Sequence, residues 1–213
     1  MKGFLFDLDG VIVDTAKYHY IAWKRVGQQL GFELTHEHNE QLKGVSRVDS
    51  LERIIAWAGA DCNAEEKQRL LVEKNEDYLR QIENMDTDEI LEGVEEVLLY
   101  ANKNNISVAL GSASKNGTRI LEKLGLTHYF QAIIDGNHVT RSKPDPEVFL
   151  KGAAALGLDP KDCIVFEDAA AGIEAAQKAG MKTIGMGGSP ELAAADYCFD
   201  SMKKISPAFI ETL

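Results

Sequence analysis

The apolar positions of this chain fall into two rhythms. Short runs that end abruptly in polar residues occur at Gly3-Phe4-Leu5-Phe6, Ile106–Leu110, Ala132–Ile134, Cys163–Phe166 and Thr183–Met186. Their length and their β-branched or aromatic content predict buried strands. Between them apolar residues recur at helical spacing. Val94, Val97, Leu98 and Ala101 precede the second run, and Ile120, Leu121 and Leu124 follow it. Val148, Phe149 and Leu156 lead into the fourth run, and Ile173–Ala179 follows it. Strand–helix alternation of this kind predicts an α/β fold with a doubly wound, Rossmann-like parallel sheet. A last strand near Tyr197–Phe199 is only weakly marked.

Residues 15–90 break that rhythm. They hold helical stripes and no convincing strand: Tyr18/Ala22/Val26/Leu30, then Leu51/Ile54/Ile55/Ala58, then Leu71/Tyr78/Ile82. So long a helical stretch is more than a crossover needs, and it predicts an inserted α-helical cap domain at 15–90. The α/β core domain then comprises 1–14 and 91–213. The chain would cross between the two near Val13–Thr15 and Thr87–Gly93, which is hinge anatomy.

The composition of the 213 residues is that of a globular protein, 45% hydrophobic and 27% charged, so the apolar content suffices for a core. No apolar run approaches the roughly 18 residues that span a bilayer. The opening MKGFLFDLDGVIVD has one lysine, and acids interrupt its apolar stretch, so it does not read as a signal peptide. Cys62, Cys163 and Cys198 are too scattered for a disulfide frame, which favours a reduced, cytoplasmic setting. With 23 Lys+Arg against 34 Asp+Glu the net charge is −11, which argues against nucleic acid or an anionic membrane as partner. An anionic small molecule would bind only where cations reverse that sign locally. The expected protein is a monomer.

Ligands of open parallel sheets bind beyond the carboxyl ends of the strands. That rule singles out Asp7-Leu8-Asp9-Gly10, Gly111-Ser112-Ala113-Ser114-Lys115-Asn116, Ser142-Lys143-Pro144-Asp145-Pro146 and Glu167-Asp168. Asp7, Asp9, Glu167 and Asp168 would bring up to four carboxylates together, a set of hard oxygen ligands suited to Mg²⁺. Lys143, the Ser112 hydroxyl and backbone N–H groups at the start of the next helix suit a phosphate. Positioning and charge neutralisation supply most of the catalysis in phosphoryl transfer, and a carboxylate can itself accept the phosphoryl group. Asp9 would then serve as general acid and base, with a pKa raised by closure over a dry site.

Taken singly, each piece has a plainer reading. A DxD pair is common in turns, Glu167-Asp168 alone reads as a helix cap, and Lys143-Pro144 alone reads as an exposed turn. His19 sits on a helical stripe among aromatic residues, where a histidine is usually structural, and Trp23 suits a core. Arg47 follows a loop whose Gly44 lets backbone approach a ligand. Lys74 lies in EEKQRLLVEKNED, where i,i+4 ion pairing competes with a role toward ligand. His36, His38, His128 and His138 fall in what read as polar loops and carry no assigned role.

As a set, FDLDGV, GSAS, SKPDPEVF and ED followed by GI resemble the four signature motifs of the haloacid dehalogenase superfamily of phosphoryl-transfer enzymes. The likeness covers the whole chain. In the cap, DTAKYHYIAW, NEQLKGVSRVDSL and EKNEDY are similar to the superfamily's sugar-phosphate mutases. The resemblance implies that Asp7 is the phosphorylated nucleophile and Asp9 the general acid/base. It implies Mg²⁺ held by Asp7, the Asp9 main-chain carbonyl and Asp168, with Glu167 a ligand or close support. Ser112, the Ala113 backbone and Lys143 would hold the transferring phosphate, and Arg47 with Ser114, Lys115 and Asn116 the other one. His19, Trp23, Lys43, Gly44, Val45, Ser46 and Lys74 would face the sugar or link cap to core. The implied activity moves a phosphoryl group between the two ends of a small-molecule sugar phosphate; hydrolysis by a sugar-phosphate phosphatase is the rival.

Overall fold

The computed structural model describes residues 2–213. Six parallel strands, β1 (Gly3–Phe6), β2 (Ser107–Gly111), β3 (Ala132–Ile134), β4 (Cys163–Glu167), β5 (Lys182–Met186) and β6 (Tyr197–Phe199), form one sheet in the order β3-β2-β1-β4-β5-β6. The chain winds outward from β1 in one direction and then restarts at β4 on its other side. Such a reversal of strand order opens a crevice beyond the strand ends. The strands lie close to the expected apolar runs, including the faintly marked β6.

Both faces of the sheet are buried, which is why its strands read as continuous apolar runs rather than alternating ones. Phe4, Phe6, Leu110, Ile164 and Phe166 pack on one face, while Leu5, Ala109, Cys163 and Val165 pack on the other. The Phe6 and Phe166 rings stack at 4.4 Å between β1 and β4, beneath the crevice. Helices α5 (Val94–Lys103), α6 (Gly117–Lys123), α7 (Glu147–Leu156), α8 (Ala170–Lys178) and α9 (Pro207–Thr212) complete the α/β part.

Between β1 and β2 stand α1 (Ala16–Gln29), α2 (His36–Glu40), α3 (Arg47–Ala58) and α4 (Ala64–Ile82). They bury a cluster of their own, including Trp23, Val26, Leu51, Ile54 and Leu70, while Ala22, Tyr78 and Ile82 join the core that covers the sheet. His36 and His38, expected in polar loop, belong to α2. Thr35 caps it, bonded reciprocally to the His38 backbone and ring, and His36 stacks on Tyr20. The two chain crossings pair with each other. Val13 bridges Ile90 antiparallel, Leu91 N–H donates to the Ile12 carbonyl at 2.9 Å, and Asp14 N–H donates to the Glu89 carbonyl at 3.2 Å.

At the sheet, α8 sits so close to β4 that a Cβ on Gly172 would run into the Glu167 carboxyl. Gly172→Ala would ordinarily gain helix propensity. Here the collision outweighs that gain, and the variant is expected to lose about 1–3 kcal/mol in denaturant unfolding. Unchanged or increased stability would show that Glu167 has room to move.

Candidate active site

Strand register brings three of the four chemical segments together, and the loop after β3 carries Lys143 to them. Phe6 pairs with Leu110 on one side and Phe166 on the other, so the chain just past β1 lies beside the ends of β2 and β4. Asp7 N–H donates to the Phe166 carbonyl at 2.9 Å, and Ser112 N–H to the Ile134 carbonyl at 3.0 Å. Every candidate drawn from the sequence except Glu167 lines one cavity of 670 Å³ between the sheet ends and the insertion. Glu167, fully buried, lies beneath it.

Asp7, Glu167 and Asp168 place carboxylate oxygens within 4.8 Å of one another. The buried Lys143 ammonium donates to Asp7 at 2.6 Å and to Glu167 at 2.8 Å. Burial alone would lower the Lys143 pKa; Asp7 and Glu167 outweigh it and hold the amine above the ordinary lysine value. Burial, reinforced by mutual repulsion, pushes Glu167 and Asp168 above the usual carboxylate range. Lys43, from the insertion, lies 3.6 Å from Asp168. Three crowded, dehydrated carboxylates with one buried amine remain short of positive charge, and an all-oxygen donor set of that kind fits a hard divalent cation.

The expected fourth carboxylate is turned elsewhere. The Asp9 side chain accepts a hydrogen bond from the buried Thr15 hydroxyl and faces His19 Nε2 at 3.7 Å. Burial first, and then the Asp7 charge, raise its pKa to about 6, the range that suits a group exchanging protons near neutrality. His19 is held well below the usual imidazole range by burial and by Lys74. Its Nδ1 lies 2.8 Å from Lys74 Nζ, so Lys74, His19 and Asp9 form one chain of contacts.

Lys74 makes no ion pair along its helix among the described residues. It is buried, with Nζ 4.8 Å from the Trp23 ring centroid and 4.7 Å from that of Tyr78. Burial and the neighbouring Arg47 charge lower its pKa to about 7.

Beyond β2 the loop is shaped by its own hydroxyls: Ser112 Oγ accepts from Ser114 N–H, and Ser114 Oγ from Asn116 N–H. On the insertion, Gly44 takes a left-handed φ of 68° and comes against Ala169 of the α/β part. Ser46, a candidate for ligand contact, is engaged locally as the cap of α3, accepting from Asp49 N–H. Arg47, the first residue of that helix, is half-buried at the cavity wall. The sequence reasoning passed over Thr15, Asp49 and Asn75, and gave Ser142 no role of its own within its nominated segment. Each is a small polar residue beside a nominated one or at a crossing, and only the tertiary contact distinguishes it.

A family profile described as haloacid dehalogenase-like hydrolase matches residues 4–186. The chain is 43% identical over 198 residues to the beta-phosphoglucomutase of Bacillus subtilis (strain 168), covering 91% of this chain and 87% of that one. It is 35% identical over 182 residues to the fructose-1-phosphate phosphatase YqaB of Escherichia coli (strain K12), covering 85% and 94%. The crystal structure of beta-phosphoglucomutase (pgmB) from Clostridium difficile superposes with a TM-score of 0.96 at 39% identity, covering 100% of this chain and 96% of that one.

Proposed function

The chain belongs to the haloacid dehalogenase-like hydrolases, and from that membership we propose that it is a β-phosphoglucomutase. In this reading it interconverts β-D-glucose 1-phosphate and glucose 6-phosphate through an aspartyl phosphate on Asp7 and a β-glucose 1,6-bisphosphate intermediate. The supporting observation is a single cavity lined by cations and polar groups from both walls: Lys143 and Ser112 at the strand ends beside Asp7, Arg47 on the insertion, and Ser114, Lys115 and Asn116 on the loop after β2. In this reading Lys143 and Ser112 form one phosphate-binding set, and Arg47 with Ser114, Lys115 and Asn116 forms the other. A hydrolase needs one such set; an enzyme that transfers from both ends of a sugar needs two.

In the forward direction the sugar 6-hydroxyl oxygen attacks the phosphorus on Asp7. The phosphorus–oxygen bond to Asp7 breaks, and Asp9 takes the hydroxyl proton. The bisphosphate turns end for end, Asp7 attacks the phosphorus on O1, and Asp9 returns the proton to O1. Lys143 offsets the repulsion between Asp7 and the incoming phosphate, and the arginine fork grips the phosphate that is not moving. Asp7, the Asp9 main-chain carbonyl and Asp168, with Glu167 as ligand or close support, would hold Mg²⁺, which would further neutralise the phosphate charge. His19 and Lys74 orient Asp9, and Trp23 with the loop Lys43, Gly44, Val45 and Ser46 shapes the sugar side. The insertion of 15–90 acts as a cap that excludes water from the phosphorylated carboxylate. The same reading takes the protein as a cytoplasmic monomer, with a sugar phosphate rather than nucleic acid as its partner.

The deciding assay supplies β-glucose 1-phosphate, Mg²⁺ and a trace of hexose bisphosphate. Formation of glucose 6-phosphate is expected; inorganic phosphate and free glucose instead would assign a sugar-phosphate phosphatase. Removal of magnesium by a chelator is part of the same assay and is expected to stop turnover. Arg47→Ala is expected to lower mutase kcat/KM roughly 10- to 100-fold, the range of a charge-assisted phosphate contact, while slow hydrolysis of the phosphoenzyme persists. Equal loss of both activities would count against two separate phosphate sites.

A further inference from the structure

Two side-chain hydrogen bonds cross the crevice between the insertion and the α/β part. The Ser142 hydroxyl donates to Asp49 Oδ2 at 2.8 Å. The same oxygen accepts from Ser46 Oγ at 2.7 Å, so one carboxylate gathers a serine from each side. The Asn116 side-chain amide donates to Asn75 Oδ1 at 3.2 Å.

Their positions give these contacts meaning. Ser142 immediately precedes Lys143, which is bonded to Asp7. Asp49 lies two residues past Arg47 in the first turn of α3. Asn75 follows Lys74 on α4, and Asn116 ends the loop that begins at Ser112. Each bond therefore ties a segment that would hold one phosphate to a segment of the opposite wall. The Asp49–Ser142 bond is exposed to solvent and the Asn75–Asn116 bond partly so. Such bonds contribute little net free energy, which lets them break and re-form at every turnover.

We infer that Asp49, Ser142 and Asn75 are positioning residues that clasp the insertion over the strand ends, and so set how often the phosphoryl group on Asp7 passes to a sugar rather than to water. The inference rests on the mutase reading. The two fates share their chemistry. In either, an oxygen bonds to phosphorus, the bond to Asp7 breaks, and Asp9 takes the proton; the product is a sugar phosphate or inorganic phosphate. Because the same acid–base group serves both, access rather than chemistry decides between them. A clasp holds the crevice shut during transfer, and its loss admits water.

The test measures inorganic phosphate released per glucose 6-phosphate formed, with β-glucose 1-phosphate, Mg²⁺ and a trace of hexose bisphosphate. Ser142→Ala removes only the crossing bond and leaves the Ser46–Asp49 cap of α3 intact. Ser142→Ala and Asn75→Ala are each expected to raise the ratio about fivefold, the worth of one net hydrogen bond. Their thermal midpoints should match that of the parent, which a merely structural role would not allow. Adding Ser142→Ala to Asp49→Ala is expected to raise the ratio no further. A parent protein that isomerises, with variants that keep its ratio, overturns the clasp alone. A parent that makes no glucose 6-phosphate overturns the mutase reading and the clasp with it.

Discussion

Asp7→Asn is expected to be folded and inert. Asparagine keeps the size of the side chain and an oxygen that can accept from Lys143, but its amide cannot attack phosphorus. Losing a nucleophile of this kind lowers kcat by about 10⁴-fold or more. Intact-mass measurement after exposure to bisphosphate should show a phosphoryl adduct on the parent and none on the variant. A phosphorylated Asp7→Asn protein, or one that retains turnover, would place the covalent step on another residue. The midpoint of thermal unfolding is the control: it should move little, because the hydrogen bond to the lysine survives.

Lys143→Ala is expected to damage stability and activity together. Its ammonium is buried between Asp7 and Glu167, at 2.6 and 2.8 Å. Removing one partner of such a set leaves uncompensated buried charge, a loss of about 3–5 kcal/mol. The pH dependence follows from the direction of the shift. Glu167 and Asp168 already hold their protons more tightly than in the unfolded chain, and without the amine they hold them more tightly still. A raised folded-state carboxyl pKa gives stability that is fully present below the unfolded value and disappears as pH rises through the folded one. The deficit of the variant should therefore be smallest in acid and grow toward neutrality, and added Mg²⁺ should recover part of it. Urea unfolding across that pH range, with and without the metal, reads all three expectations. A deficit independent of pH would mean that the carboxylates do not feel the amine.

Much of this was legible in the order of residues because it depends on period and position. Two-sided burial makes β1, β2 and β4 continuous apolar runs, and their ends are marked by abrupt acids, serines or lysine. Ligand position in a parallel sheet follows from topology, so the convergence of Asp7, Ser112, Lys143 and Asp168 could be anticipated. The orientation of Asp9 could not. Whether its carboxyl joins Asp7 or turns to Thr15 depends on a side-chain rotation that no spacing encodes. Lys74 was ambiguous for a related reason: its helix is dense in charge, and only packing against Trp23 and Tyr78 removes it from water. The Asp49–Ser142 contact joins residues far apart in the chain whose types are ordinary in turns and caps, so nothing local flags it.

The pairing of the two crossings at Val13 and Ile90 carries a consequence for ancestry and for engineering. A segment whose entry and exit are neighbours can be exchanged for a different one without disturbing the strands on either side, much as a lens is changed on a camera body. Diversification of such a scaffold would then proceed by swapping what stands above the acids, with the acids left alone. A chimaera grafted at these two points should retain Asp7 and its lysine partner while acquiring the donor's taste in substrates.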